Sequence, residues 1–242
     1  RINDLTQFHI EAKEDRENFL SKFREKGISN AEKLKEIKTK LYLGDFKGRK
    51  VNVIGHAINF EKFNKSKTHY SFKKFLMLSR ISKSKNLEVG IDSFLNSKFK
   101  NFNLDIIGGP LNKNDEKYLK FLQKKYKSKN VNFLGKIDHK DLPEIISNYD
   151  VNINCAKRGF YDKSVLETLS MGIINFYRND DFNSLFLEDH KFYFENVDEL
   201  TKKMNSLVDL SHNDILEIFN EIEIKLQKNS LSTLSKRLLF YL

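Results

Sequence analysis

The feature that most constrains this chain is a change of pattern at Val51, where short apolar runs begin to alternate with amphipathic helical stretches. The runs cover 51–54, 75–79, 104–107, 131–134, 151–154 and 173–177, each of strand length. Between them Leu87, Ile91, Phe94 and Leu95 form one helical stripe, Tyr118, Leu119, Leu122 and Tyr126 a second, and Leu142, Ile145 and Ile146 a third. Asn86, Asn114 and Asp138 are the expected helix starts. Strands alternating with helices bury both faces of a parallel sheet, so the expected class is α/β, a Rossmann-like parallel sheet with helices on both faces and closing helices at the C-terminus. Lys191 to Phe194 reads as a short edge strand, and Leu207, Leu210, Ile215, Ile218, Phe219 and Ile222 as packing positions of the closing helices.

Residues 1–50 follow a different pattern. Phe19, Leu20 and Phe23 lie on one helical face before Gly27, and Ser29-Asn-Ala-Glu32 matches a capping box that starts a second helix through Leu34, Ile37 and Leu41. The expected organisation is a helical segment 1–46 followed by a Rossmann-like domain 47–242. The 242 residues include 21 Phe but only two Pro and ten Gly, enough apolar mass for a real core with few long loops.

The net charge of +10 invites a nucleic-acid reading, but the 43 basic residues are mostly Lys and are scattered among 33 acids, without aromatic-plus-Arg platforms. Nucleic acid is therefore not the expected partner, while weak attraction to an acidic membrane surface is compatible with the charge. The single cysteine, Cys155, rules out an internal disulfide and sits in an apolar run, as a buried and inert thiol would. No apolar run approaches the roughly 18 residues of a membrane span. A cytoplasmic location, with peripheral contact at the inner membrane face, is expected.

Chemistry concentrates in residues 159–172, G-F-Y-D-K-S-V-L-E-T-L-S-M-G, which follow the run Val151-Asn-Ile-Asn-Cys155. Asp162 is the expected N-cap, accepting from free N–H groups of the first turn, with Val165, Leu166 and Leu169 as the buried stripe. Lys163 then falls in the first turn, where the helix dipole disfavours a cation by roughly 0.3–1 kcal/mol unless an anion sits there too. Glu167 lies four residues on, on the same face. Two readings fit: a surface ion pair in the weaker Lys-before-Glu order, or a face suited to a phosphorylated ribose.

The order of the motifs resembles the C-terminal, donor-binding half of retaining nucleotide-sugar glycosyltransferases of the GT-B type. Val51-Asn-Val-Ile-Gly-His-Ala-Ile-Asn59 with Phe63 is similar to the family's first strand and turn, with Asn59 in place of Asp. Phe75-Leu-Met-Leu-Ser-Arg80 followed by Lys85 resembles its strand, Arg, and Lys five residues later. Leu104-Asp-Ile-Ile-Gly-Gly109 and Val131-Asn-Phe-Leu-Gly135 resemble the next two strands, and Asp162 to Gly172 the motif ending L-E-A-M-A-x-G.

The resemblance implies a glycosyltransferase, or its donor-binding half, moving a hexosyl group from a nucleoside-diphosphate sugar to a glycan, lipid or small-molecule acceptor with retention. It implies that Arg80 and Lys85 hold the diphosphate together with Lys163 and the N–H groups of Ser164 and Val165, that Glu167 accepts from both ribose hydroxyls, and that Lys136 and Ile137 lie along the base. It implies no cofactor and no metal beyond the donor substrate. The chain departs from the pattern at Gly159, where the family usually has a first Glu; Asp162 is the nearest acid, so the contact to the donor sugar is altered or lost. His56 and His139 have no paired carboxylate in sequence and read as turn or surface residues, leaving no catalytic residue assigned. A GT-B enzyme also needs a preceding acceptor domain, for which residues 1–50 leave no room, so a fragment or half-enzyme is expected. A nucleotide-sugar epimerase of the same fold, or a non-catalytic binding module with a degenerate donor site, are the competing readings.

Overall fold

A computed structural model describes residues 57–64, 67, 69–127, 129–157, 161–186 and 191–240. The helices expected within 1–50, the run at 51–54, His56 and Gly159 lie outside them. The chain divides into two compact units, and the larger, Phe60–Leu226, carries the sheet.

Five strands form it: β1 (Lys74–Leu78), β2 (Asn103–Ile107), β3 (Val131–Gly135), β4 (Val151–Asn154) and β5 (Ile174–Tyr177). All pairings are parallel and the order is β3-β2-β1-β4-β5, the Rossmann-like arrangement expected from the alternation. Every residue of β4 and β5 is buried, as strands covered on both faces must be.

The helices are α1 (Leu87–Asn96), α2 (Lys113–Lys125), α3 (Leu142–Ile146), α4 (Lys163–Ser170), α5 (Val197–Asn205) and α6 (His212–Leu226). Alternation along β1 assigns them to faces. Phe75 meets α1 through Phe94, ring centroids 5.2 Å apart, and Gly90 of α1 lies so close to Met77 and Cys155 that a Cβ would come within 2.6 Å of Met77 Cε. Leu76 and Leu78, pointing the other way, cluster with Leu142 and Ile146 of α3 and with Phe63. Tyr118 of α2 and Tyr126 at its C-cap reach Glu88 and Asp92 of α1, which places α2 beside α1. Helices therefore cover both faces.

Two helix starts differ from expectation. Asn112 rather than Asn114 caps α2, its Oδ1 accepting from the N–H groups of Asn114 and Asp115, each at 3.0 Å. Helix α3 starts after Asp141 rather than Asp138, because Pro143, which needs no N–H partner and has its φ preset, fits only the first turn. The expected edge strand at 191–194 reduces to one parallel bridge between Tyr177 and Tyr193.

At the amino ends of β1 and β4 the buried Asp150 gathers donors: Lys67 Nζ at 2.8 Å, Ser71 Oγ at 2.9 Å and the Lys73 N–H at 3.2 Å. In the smaller unit, Ile58 bridges Ser230 in parallel, and α7 (Leu231–Phe240) follows with Ser230 Oγ accepting from the Thr233 N–H at 3.0 Å.

Candidate functional site

Strands β1 and β4 are neighbours, yet the chain leaves β1 for α1 on one face and β4 for α4 on the other. This is the topological switch point of an open parallel sheet, where the loops beyond the carboxyl ends diverge and leave room for a ligand.

Around that point the loops are pinned by backbone. The Ser79 N–H donates to Ile107 O and the Ile81 N–H to Gly109 O, both at 3.1 Å, which fixes Arg80 at the end of β1 with its side chain exposed. Gly108 is required there: its φ is +142°, and a Cβ would stand 1.9 Å from the Ser79 carbonyl oxygen. The Gly108 N–H donates in turn to Gly135 O at 2.8 Å, so the ends of β1, β2 and β3 form one continuous rim. Lys136 and Ile137 follow β3 on that rim; Lys136 is exposed, with its Cβ facing Gly109, while Ile137 packs partly against the Phe63 and Leu78 cluster.

Helix α4 brings the remaining residues. Asp162 occupies its N-cap position, but the carboxylate does not bond to the first turn as expected. One oxygen forms an ion pair with Lys85 and the other accepts from Asn154 Nδ2 at 2.9 Å. The physical reason is the buried Lys85 ammonium, 4% exposed, which demands a counter-charge more strongly than an N–H group demands a cap. Among the described residues the first turn of α4 thus has no side-chain cap from Asp162, whose carbonyl oxygen accepts from the Val165 N–H at 3.1 Å. Beside it, Ser164 Oγ is buried with no hydrogen-bond partner among the described residues.

Glu167, one turn further, is buried, and its carboxylate is met by His139 rather than by Lys163: His139 Nε2 lies 3.1 Å from Oε1. His139 Nδ1 is in turn 3.2 Å from Lys62 Nζ. His139 does lie in a turn, as read from sequence, but its ring is half-buried and paired with a carboxylate, so the reading of it as a solitary surface residue is corrected. The contact joins residues 28 apart through the fold, so no local pattern announces it.

What holds α4 in place is a polar network inside the sheet. Asn152 Oδ1 accepts from the Leu78 N–H at 3.1 Å, and its Nδ2 donates to Asn175 Oδ1 at 2.7 Å. The Thr168 hydroxyl of α4 sits 2.8 Å from Asn175 Oδ1 and 2.7 Å from Ser164 O. Asn152 and Asn154, two apart on β4, thus anchor the middle and the start of α4. Their alternation with Val151, Ile153 and Cys155 was the available sequence signal.

Of the residues named from sequence, the fold brings Lys85 to Asp162 across 77 positions and sets Lys163, Ser164, Val165 and Glu167 on one helix start at the switch point. Arg80, Lys136 and Ile137 stand along the adjoining rim. The arrangement offers an anion an uncapped helix start with an exposed guanidinium on the neighbouring strand end, and offers a hydroxyl-bearing group a fixed carboxylate. Among the described residues no group of His, Cys, Asp and Glu is arranged to hold a metal ion.

Comparison with known proteins agrees with this fold. The chain's fold is similar to that of Anabaena HepE crystallised with UDP-glucose, at TM-score 0.69 and 14% identity over 85% of this chain and 61% of HepE. It is similar to the C-terminal domain of the group 1 glycosyl transferase LpcC from Francisella tularensis, at TM-score 0.60 and 15% identity over 72% of this chain and 99% of that domain. S. aureus TarM matches at TM-score 0.62 and 16% identity, over 84% of this chain and 42% of TarM. The chain spans little more than half of HepE but nearly the whole of the isolated C-terminal domain of LpcC. No curated protein matches it in sequence. The sequence profile described as "Glycosyl transferases group 1" matches residues 59–221, about two thirds of the chain and nearly all of the larger unit. The chain belongs to the glycosyl transferases group 1 family.

Proposed function

We propose that this chain binds a nucleoside-diphosphate sugar at the switch point between β1 and β4 and supplies the donor side of a retaining hexosyl transfer. The observation that carries the reading is the start of α4. Asp162 is turned away to Lys85 and Asn154, so the first-turn N–H groups face no carboxylate cap, one turn before the buried Glu167. A diphosphate there would receive the N–H group of Ser164, and that of Val165 in place of its bond to Asp162 O at 3.1 Å, together with the positive end of the helix, with Lys163 adding charge. Arg80 supplies the exposed cation on the neighbouring strand end, while Lys85, already paired with Asp162, acts by fixing the helix start. Glu167 accepts from the ribose hydroxyls, and Lys136 and Ile137 flank the base. Fixed positive charge at the diphosphate stabilises it as a leaving group, which is the catalytic contribution the donor side makes. That HepE was crystallised with UDP and with UDP-glucose supports a nucleotide as the ligand of the shared fold. The acceptor, a glycan, lipid or small molecule, would be held by a partner domain. Nothing in the described residues crosses a membrane as a helix, and peripheral contact with an acidic surface remains part of the proposal.

Thermal unfolding with UDP, GDP and ADP tests it. A hundredfold excess over Kd stabilises by about 2.7 kcal/mol, a Tm rise on the order of 5–10 °C for a domain of this size. The rise is expected with one of the three and is expected to vanish in Arg80→Ala and Glu167→Ala. No shift with any nucleotide contradicts the proposal.

A further inference from the structure

His139 lies in the turn between β3 and α3, and its half-buried ring has contacts on three sides. Its ring packs against Phe63, centroids 5.3 Å apart and planes at 58°, and Phe63 is 1% exposed within the cluster of Leu76 and Leu78. Ile137, two residues before, packs on the same cluster. The ring's two nitrogens are both engaged, Nδ1 with Lys62 Nζ at 3.2 Å and Nε2 with Glu167 Oε1 at 3.1 Å. An ammonium can only donate, so Nδ1 accepts from Lys62 and Nε2 carries the hydrogen that goes to Glu167. The order Lys62, His139, Glu167 therefore passes donor to acceptor in one direction and fixes the tautomer at each step.

We propose that His139 is a positioning residue for ribose recognition: it locks the Glu167 carboxylate plane, leaving Oε2 and the second lone pair of Oε1 to accept the two ribose hydroxyls. The proposal rests on the reading of Glu167 as the ribose partner. Glu167 has the reach of three side-chain torsions, and His139 is the one described side chain bonded to its carboxylate, through Oε1 alone. A carboxylate that must accept from two neighbouring hydroxyls needs its plane set beforehand, or the rotational freedom is lost on binding. A merely structural His would satisfy the buried acid just as well, but it would not alter discrimination between a ribose and a sugar lacking those hydroxyls.

The test measures affinities of the full chain for UDP, GDP and ADP and for their 2′,3′-dideoxy counterparts, by calorimetry. The wild type is expected to prefer the ribose form at least tenfold, from two charge-assisted hydrogen bonds. His139→Phe keeps the packing on Phe63 but not the hydrogen bonds, and is expected to lose most of that preference while its dideoxy affinity stays within about twofold. His139→Gln, which keeps a donor and an acceptor, is expected to restore part of it. If His139→Phe does not fold, Lys62→Met, which breaks the chain at its outer end, is expected to lower the preference about threefold, and an unchanged preference overturns the proposal. A preference kept in His139→Phe but lost in Glu167→Ala overturns the role of His139 and leaves the ribose site standing. Absence of nucleotide binding in the wild type, or a preference untouched in Glu167→Ala, overturns both.

Discussion

Asp150 shows how one buried charge ties the sheet together and makes stability depend on pH. Burial pushes its carboxyl up, but the hydrogen bond and charge of Lys67, with donors from Ser71 and the Lys73 backbone, outweigh it and hold it below the usual carboxylate range. A carboxyl lowered by folding contributes in full above its unfolded pKa of about 4, and the contribution is lost as pH falls through the lower folded value. Asp150→Asn is therefore expected to cost roughly 1–3 kcal/mol in urea unfolding at pH 7, with the gap to wild type closing as pH falls below about 4; a gap independent of pH would contradict this. Cys155 is the opposite case. Burial pushes its thiol up to about 12, so it is expected to stay unlabelled by a thiol reagent at pH 8 until the chain unfolds. Rapid labelling of the native chain would show that the strand β4 face is open. At this scale the sequence was legible where a residue's role follows from its neighbours in the chain, as for Cys155 in its apolar run. It was not legible where the partner is distant: Asp162 looked like an ordinary cap because Lys85 is 77 residues away, and His139 looked solitary because Glu167 is 28 residues away.

At the scale of elements, all five described strands fall within two residues of the apolar runs that announced them, because each carries at least two apolar side chains toward the core within a short run. Helix starts were less legible, since several Asn and Asp near each boundary can cap and only the loop backbone selects among them. Helix α4 is held down by Thr168 in a fully buried polar network, and Thr168→Val removes its hydroxyl while leaving Asn175 and Asn152 without one partner. A loss of roughly 1–3 kcal/mol is expected in chemical denaturation, together with weaker nucleotide protection because the start of α4 loosens. The rim makes a sharper prediction. An added methyl at Gly108 meets backbone at 1.9 Å, whereas at Gly135, φ +77°, it meets nothing within 4 Å. Gly135→Ala is therefore expected to cost about 1 kcal/mol of backbone strain and Gly108→Ala clearly more. Equal losses would mean that the rim is not packed as described.

For the larger unit as a whole, the strand order decides where chemistry can occur. The order β3-β2-β1-β4-β5 puts the one reversal between β1 and β4, and the residues singled out from Arg80 to Glu167 reach the same edge although they are spread over almost ninety positions of sequence. The positive charge, by contrast, is spread through the chain and does not itself mark the site. The candidate site centres on the arrangement at α4: an ion pair that draws Asp162 away from the first turn, and a carboxylate held from the side by a histidine. A crystal structure of the chain grown with the nucleoside diphosphate that raises its Tm tests the central claim most directly. The diphosphate is expected at the N-terminus of α4 within reach of Arg80, with the ribose hydroxyls on Glu167. A nucleotide bound elsewhere, or at this edge without contact to either α4 or Glu167, would contradict it.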